Sequence, residues 1–401
     1  MKKHLFTIAA VAFALCACQK AETGTNEVTP GVNEEVGAPQ QILIGTNLKS
    51  SELVTKASVD YWNGQTVYVI GYDNAKIGTA TEVSEGDVFI MPNIPGIVPE
   101  NAAYSEEALK GELDFGEKFY YDEDVKSYDF VGYYLGDNVA TEAGNITVEN
   151  GIMTVDFEID GTQDVLAATT DRLNAEERKF EEEEGVWKVV REDYVYSAFA
   201  ARRDVQPTLK FNHMLTKFSF KVKYGSEEGA RDFKLKTIAL ATYTNGTLTL
   251  NPEDRKPVAN YNGEAEAVKD TVKINNESVV FEDYTGVDDD SLYKPYGECM
   301  VLSGETSYNM KLTYFQEHTD DKNHDFSKDI EIENVNWIND GDRTDTFQPG
   351  KHYVVYVTVY GLEEIKVDVK LERWDEEGRV NIDPDDIPEA IGNYPEDGPT
   401  E

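Results

Sequence analysis

Residues 347–374 read FQPGKHYVVYVTVYGLEEIKVDVKLERW. Near the end of this stretch Ile365, Val367, Val369 and Leu371 alternate strictly with Lys366, Asp368 and Lys370. That is the period-two signature of a strand with one buried and one wet face. Just upstream, Tyr353 to Tyr360 is an unbroken β-branched and aromatic run, entered through Pro349-Gly350 and left at Gly361. It predicts a strand covered on both faces. Joined near Gly361 to Glu364, the two strands make a hairpin, which Trp374 closes with a large apolar side chain. With its best-specified element at the C-terminal end, the chain predicts a β-sandwich completed last.

Working back from that hairpin, Leu209 to Tyr224 (LKFNHMLTKFSFKVKY) reads as a long strand. Phe218, Phe220 and Val222 lie on one face; Lys217, Ser219, Lys221 and Lys223 lie on the other, expected wet, face. Phe233–Thr242, Gly246–Leu250, Thr271–Ile274, Ser278–Phe281, Cys299–Leu302 and Ser307–Phe315 follow at sandwich-like spacing. A boundary is expected around Val205 to Pro207. Before it, Thr66–Tyr72, Asp87–Met91, Lys118–Tyr121, Tyr128–Tyr134, Ile152–Ile159 and Asp164–Ala168 are short strands bounded by turn residues. Asn174–Trp187 carries good helix formers and is the one helical candidate, with a solvated loop as the alternative reading of its four consecutive glutamates, Glu181 to Glu184. The expectation is an all-β protein of two tandem β-sandwich domains, residues 58–205 and 206–382, followed by an acidic tail, 383–401.

A net charge of -40 and a pI near 4.4 argue against charge-driven binding to nucleic acid or an anionic membrane surface. Residues 1–18 carry Lys2 and Lys3, an apolar run from Leu5 to Leu15, and then Cys16-Ala17-Cys18. The run is too short to span a bilayer and ends as a cleaved leader does. Leu15-Cys16-Ala17-Cys18 resembles the lipobox of bacterial lipoproteins, which implies cleavage before Cys18, lipidation of its thiol and a place in the bacterial envelope; an ordinary secretory leader is the alternative. Past Cys18 only Cys299 remains, so the mature chain makes no internal disulfide. Cys299 sits in an apolar run and reads as a small buried residue. Residues 19–40 form a polar tether. Residues 41–57 (QILIGTNLKSSELVTKA) break that pattern, with Ile42, Ile44 and Leu48 at strand-like spacing before a polar linker that bears Lys49 and Lys56. This is either an edge strand meant to be lost or an ordinary first strand and loop.

These residues, taken in order, resemble a family. The lipobox, Val54-Thr55-Lys56-Ala57, Phe130-x-x-Tyr133-Tyr134, Phe211-x-His213-x-Leu215-x-Lys217, Pro349-Gly350-Lys351-x-Tyr353 and Trp374-x-x-x-Gly378-x-Val380 are similar in order and spacing to the fimbrillin-type pilins of Bacteroidetes. The resemblance implies two transthyretin-like β-sandwiches and a role in assembly. A lipoprotein precursor reaches the outer membrane, a protease cuts after a basic residue in the linker, the first strand is lost, and a strand of another subunit fills the groove. Carried onto this chain, Lys56 takes a place usually held by arginine, which points to a trypsin-like or Lys-specific protease; Lys49 is a second processing candidate. Residues 41–48, with Ile42, Ile44 and Leu48, become the displaced strand. Residues 380–391, with Val380, Ile382, Ile387 and Ile391, become the donor. The partners implied are other pilin subunits, a maturation protease and a host or bacterial surface receptor. Asp270-Thr271-Val272 and Asp290-Ser291-Leu292 look like short O-glycosylation sites of these bacteria.

Enzyme chemistry finds little to stand on. With 77 acidic residues, paired carboxylates occur everywhere and no one pair is informative. His318-x-Asp320-Asp321-x-x-His324 reads as a solvated turn, and Asp288-Asp289-Asp290 lacks the alternating ligands of a calcium loop. No phosphate loop or nucleophile elbow is present, and no cofactor is expected. The competing reading is a pilus tip adhesin or an anchored glycan-binding lipoprotein, with Tyr120, Tyr121, Tyr133 and Tyr134 stacking on sugars; core packing is the alternative for those tyrosines.

Overall fold

Short apolar runs punctuated by turn residues fold into strands throughout the part of the chain described by the computed structural model. That part comprises residues 39–47, 64–99, 111–122, 126–136, 146–170, 179–183, 186–190, 196–202, 205–227, 233–252, 254, 256–261, 270–275, 290–316, 324–333, 337–339, 342–360 and 365–372. The strands are β1 (Gly45–Asn47), β2 (Thr66–Asp73), β3 (Phe89–Ile97), β4 (Gly111–Glu112), β5 (Tyr128–Tyr134), β6 (Ile146–Glu149), β7 (Ile152–Glu158) and β8 (Leu166–Thr169). Next come β9 (Lys179–Glu183), β10 (Val186–Val190), β11 (Thr208–Lys210), β12 (Asn212–His213), β13 (Leu215–Tyr224), β14 (Phe233–Thr242), β15 (Asn245–Leu250) and β16 (Val258–Tyr261). The last are β17 (Asp270–Asn275), β18 (Lys294–Leu302), β19 (Ser307–Gln316), β20 (His324–Glu333), β21 (Trp337–Asn339), β22 (Asp342–Thr344), β23 (His352–Val359) and β24 (Ile365–Glu372). Among the described residues the α-helix is a single turn, Ala198–Ala201, whose N-cap Ser197 accepts from Ala200 N–H. The fold is all-β.

A five-stranded sheet, β12-β8-β5-β2-β3, faces a four-stranded one, β16-β15-β7-β6, across one core. The second sheet draws β15 and β16 from beyond residue 206 and β6 and β7 from before it. The other face of the five-stranded sheet is covered by a short layer, β11-β1-β4, over a second core. A third core lies between β18-β13-β23-β24 and β17-β14-β19-β20. Hairpins β9–β10 and β21–β22 stand apart from these sheets.

This layering explains the burial patterns. In β5 (YDFVGYY) every residue is buried, because Val131 and Tyr133 enter one core while Tyr128, Phe130 and Tyr134 enter the other. In β7 Met153, Val155 and Phe157 are buried and the intervening residues are more exposed, as the alternation predicts. The hairpin β23–β24 forms in a continuous register from His352↔Glu372 to Val359↔Ile365. β23 is covered on both faces as expected: Tyr353, Val355, Val357 and Val359 enter the core, and Val354 and Thr358 on the opposite face are also buried.

Three expectations are overturned. The helical candidate Asn174–Trp187 is instead, where described, the antiparallel pair β9–β10, with Glu182 opposite Trp187 and Lys188 opposite Glu181. Val186, Val189 and Val190 are β-branched, and their strand's pairing with Lys179–Glu183 outweighs the helix-forming glutamates. Lys118–Tyr121 is no strand, making only a bridge from Tyr120 to Gln41, while Asp87–Met91 starts later and runs on as β3 through Pro92 and Pro95. Both prolines are admissible because β3 lies at the edge of its sheet. The expected wet face of β13 is covered, with Lys217, Ser219 and Lys223 only 3%, 7% and 5% exposed. Lys217 Nζ lies 3.3 Å from Glu298 Oε2, and Lys223 Nζ lies 3.6 Å from Asp290 Oδ1 and over the ring of Tyr293. Pairing and stem packing permit that burial.

Candidate functional site

The first described segment carries a tight alternation over residues 40–47. Ile42, Ile44 and Thr46 are 2%, 0% and 2% exposed, and Leu43 between them is half-buried. The backbone is held from both sides. On one flank Ile42 N–H donates to Phe119 O at 2.8 Å, Leu113 N–H to Ile44 O at 2.9 Å and Tyr121 N–H to Gln40 O at 2.9 Å. On the other, Gly45 N–H donates to Pro207 O at 2.9 Å and Leu43 N–H to Gln206 Oε1 at 3.3 Å, and β1 runs parallel to β11 with Thr46 opposite Leu209. The expectation of an edge strand is therefore corrected: β1 is the middle strand of its layer. Both of its neighbours are short and come from distant parts of the chain.

The floor under this segment is the outer face of the five-stranded sheet. Ile42 and Ile44 share a core with Val67, Val69, Met91, Phe130 and Leu209. Close approach depends on Gly132 of β5, where an added Cβ would lie 2.8 Å from Leu209 Cδ1 and 3.0 Å from Phe211 Cζ. Between Leu113 and Phe119 the flank bows away from the segment, leaving an open hollow of ≈ 300 Å³ beside Ile42 and Leu113. The floor of the slot is apolar, and the hollow beside it is rimmed by Gln41, Glu112, Asp114, Glu117 and Lys118. Burial pushes the Tyr121 phenol upward, so it stays neutral. What such a place offers is burial of alternate side chains plus a row of backbone partners on each side, which suits an extended polypeptide.

Of the residues singled out from sequence, Ile42 and Ile44 meet in this slot. Cys18, Leu48, Lys49, Lys56, Trp374, Val380, Ile382, Ile387 and Ile391 lie outside the described residues. Tyr121, Tyr133 and Tyr134 are 3%, 1% and 4% exposed, so of the four proposed sugar-stacking tyrosines only Tyr120, 43% exposed, faces solvent. Tyr133 donates to Asn93 Oδ1 at 2.8 Å. Cys299 is buried, which pushes its thiol pKa up. His213 is buried with its Nδ1 2.7 Å from Asp164 Oδ2, and His352 Nε2 lies 2.7 Å from Ser219 Oγ. Thr271 and Ser291 are exposed. Among the described residues no group of three or more His, Cys, Asp or Glu is placed to hold a metal ion. Sequence reasoning missed Gln206, Pro207 and Gly132; the glycine inside YDFVGYY was the available signal.

The description "fimbrillin-like" belongs to a family model that matches residues 55–374, well over half the chain. The chain belongs to the fimbrillin-like family. The matched stretch begins after β1 and ends two residues past β24. Membership places the chain with fimbrial proteins of the cell surface and not with enzymes. Similar solved structures include a candidate cell adhesion protein of Bacteroides uniformis, 15% identical, covering 83% of this chain and 98% of that one with a TM-score of 0.45. Another, from Bacteroides ovatus, is 12% identical, with 85% and 100% covered and a TM-score of 0.43. The fimbrial anchor protein Mfa2 of Porphyromonas gingivalis is 11% identical, with 83% and 99% covered and a TM-score of 0.31. No curated protein matches significantly.

Proposed function

We propose that this fimbrillin-like protein is a structural subunit of a cell-surface fimbrium. It is exported as a lipoprotein anchored in the outer membrane through Cys18, and matured by cleavage after Lys56 or Lys49. It then polymerises by accepting a strand of another subunit where residues 40–47 lie. The observation that supports this reading is the two-sided seat of that segment, which precedes the family-matched region and buries Ile42, Ile44 and Thr46 at alternate positions.

Cleavage in the linker releases a segment held covalently at one end only. Its loss uncovers an apolar trough and the backbone groups of Phe119, Leu113, Tyr121 and Pro207, and an inserted strand restores both. Filling the two isoleucine positions contributes about 1.5–3 kcal/mol each. Residues 380–391 are the donor candidates, and insertion from one subunit into the next is heterologous and does not close, which yields a filament.

The test is the N-terminal residue of protein taken from the cell surface, read beside an unboiled gel. A start at Ala57 or Ser50 with a ladder of detergent-resistant oligomers is expected. A lipidated start at Cys18 with monomer alone overturns the shaft-subunit reading and leaves a fixed anchor or glycan-binding lipoprotein.

A further inference from the structure

The chain as a whole carries 77 acidic against 37 basic residues, yet one surface reverses that balance. On the outer face of β18-β13-β23-β24, Lys217, Lys223 and Thr358 are buried, and the part open to solvent is formed by Lys221 of β13, Tyr356 of β23 and Lys366, Asp368 and Lys370 of β24. Among the described residues the acids on this face include Glu298 on β18, beside Lys217, Asp290 beside Lys223, Asp368 beside Lys366, and Glu372, which the register sets opposite His352. The two lysines that converge on the middle of the face do so around one ring. Lys221 Nζ lies 5.4 Å and Lys370 Nζ 4.7 Å from the Tyr356 centroid. Tyr293 braces that ring edge-on at 4.9 Å and anchors its own hydroxyl 2.6 Å from Thr358 Oγ1. Burial, and then the positive charges of Lys217 and Lys221, push the His352 pKa down to about 3. Among the described residues the lysines on the open part of this face, Lys221, Lys366 and Lys370, outnumber its exposed acid, Asp368, although the molecule as a whole is strongly acidic.

The chain leaves β24 at Glu372, opposite His352 at one end of this same sheet. From there residues 375–401 hold ten aspartates and glutamates and a single basic residue, Arg379. Extended, those residues reach about 90 Å, whereas the ten residues of β13 span about 33 Å. A tethered segment meets the face at millimolar effective concentration, while a free anion must first approach a chain of net charge -40.

We propose that the outer face of β18-β13-β23-β24 is a docking surface for this chain's own acidic C-terminal segment, residues 375–401, whose carboxylates seat against Lys221, Lys366 and Lys370 around Tyr356. Docking itself needs no pilus, and its consequence for assembly rests on the proposed role of residues 380–391 as donor. A segment held on this face is withheld from a neighbouring subunit, so the surface sets when the stretch from Val380 to Ile391 becomes available.

Zero-length carbodiimide cross-linking of the full-length protein at low salt, followed by peptide mass mapping, tests this. Cross-links between residues 375–401 and Lys221, Lys366 or Lys370 are expected, with a yield unchanged on about tenfold dilution. That yield falls several-fold at high salt, where the unfolding transition, measured alongside, reports that the sheet remains intact. Absence of these cross-links, their equal distribution over unrelated lysines, or a yield that drops with dilution, as contact between separate molecules requires, overturns the proposal. The outcome does not depend on cleavage at Lys56, so it is read independently of polymer formation.

Discussion

The layer over the five-stranded sheet and the C-terminal sandwich bury similar side chains by opposite means. In the sandwich the ladders are long: β19 and β20 pair over ten positions each and β13 and β23 over eight. In the layer β1, β4 and β11 have three, two and three residues, and residues 40–47 are held by scattered single bonds and by Ile42 and Ile44. A strand fixed by a long ladder leaves only with its whole sheet. One fixed by two buried side chains and interrupted pairing can be exchanged for another of similar pattern, because most of its free energy of seating is non-directional.

The sharpest way to break this contrast is Phe218→Ala. Phe218 packs against Tyr308, Phe347, Tyr353 and Phe220 with centroids 5.3, 5.2, 5.8 and 6.3 Å away, so its loss costs about 3–5 kcal/mol and lowers the midpoint of global denaturant unfolding. Ile44→Ala costs about 2–5 kcal/mol, and the loss is expected as increased amide exchange in residues 40–47, 111–121 and 206–210, with protection of the sandwich strands unchanged. Equal loss of protection in β13 and β23 would make the two regions one cooperative unit and end the argument for exchange.

Acid separates the regions further. The pKa of His352 is depressed from 6.5 to about 3, so the unfolded chain takes up more protons than the folded one between those values. The stability this contributes is complete above pH 6.5 and lost as pH falls toward 3, up to about 4 kcal/mol. His352→Gln flattens that part of the pH dependence, measured as the difference between the two proteins' unfolding midpoints across the window. Gly132→Ala drives a methyl toward Leu209 and Phe211 and costs about 1–3 kcal/mol, again confined to the layer, which thermal unfolding and amide exchange together distinguish. Ser197→Ala removes the cap of a single helical turn; a change of about 1 kcal/mol or less is expected.

Strands whose facing sheets impose a clean alternation were legible from sequence: β7, β24 and the inner face of β13 follow the period of two. The outer face of β13 was misread because its partners are remote; Glu298 lies 81 positions beyond Lys217, and a window around the lysines shows only charge. For β9–β10 local propensity pointed to helix, and what decides otherwise is the antiparallel pairing of Val186–Val190 with Lys179–Glu183. In the candidate site Ile42 and Ile44 stood out by spacing. Their central position did not, because Leu43 is bonded to Gln206, 163 positions away, and the other flank is an irregular run from Gly111 to Tyr121 with little strand character of its own.

The run from Thr208 to Tyr224 passes through all three cores in turn, with Leu209 and Phe211 in the first, Met214 and Leu215 in the next and Phe218 to Val222 in the last. Mechanically it is a tie-rod. Tension applied to a strand lying alongside β11 passes along unbroken covalent backbone into β13, and from there across eight positions of parallel register to β23. Because β13 and β23 point the same way along the line of pull, their hydrogen bonds are loaded together in shear and do not peel one after another. The seat of residues 40–47 and the β23–β24 hairpin are thus in series through a single stretch of chain.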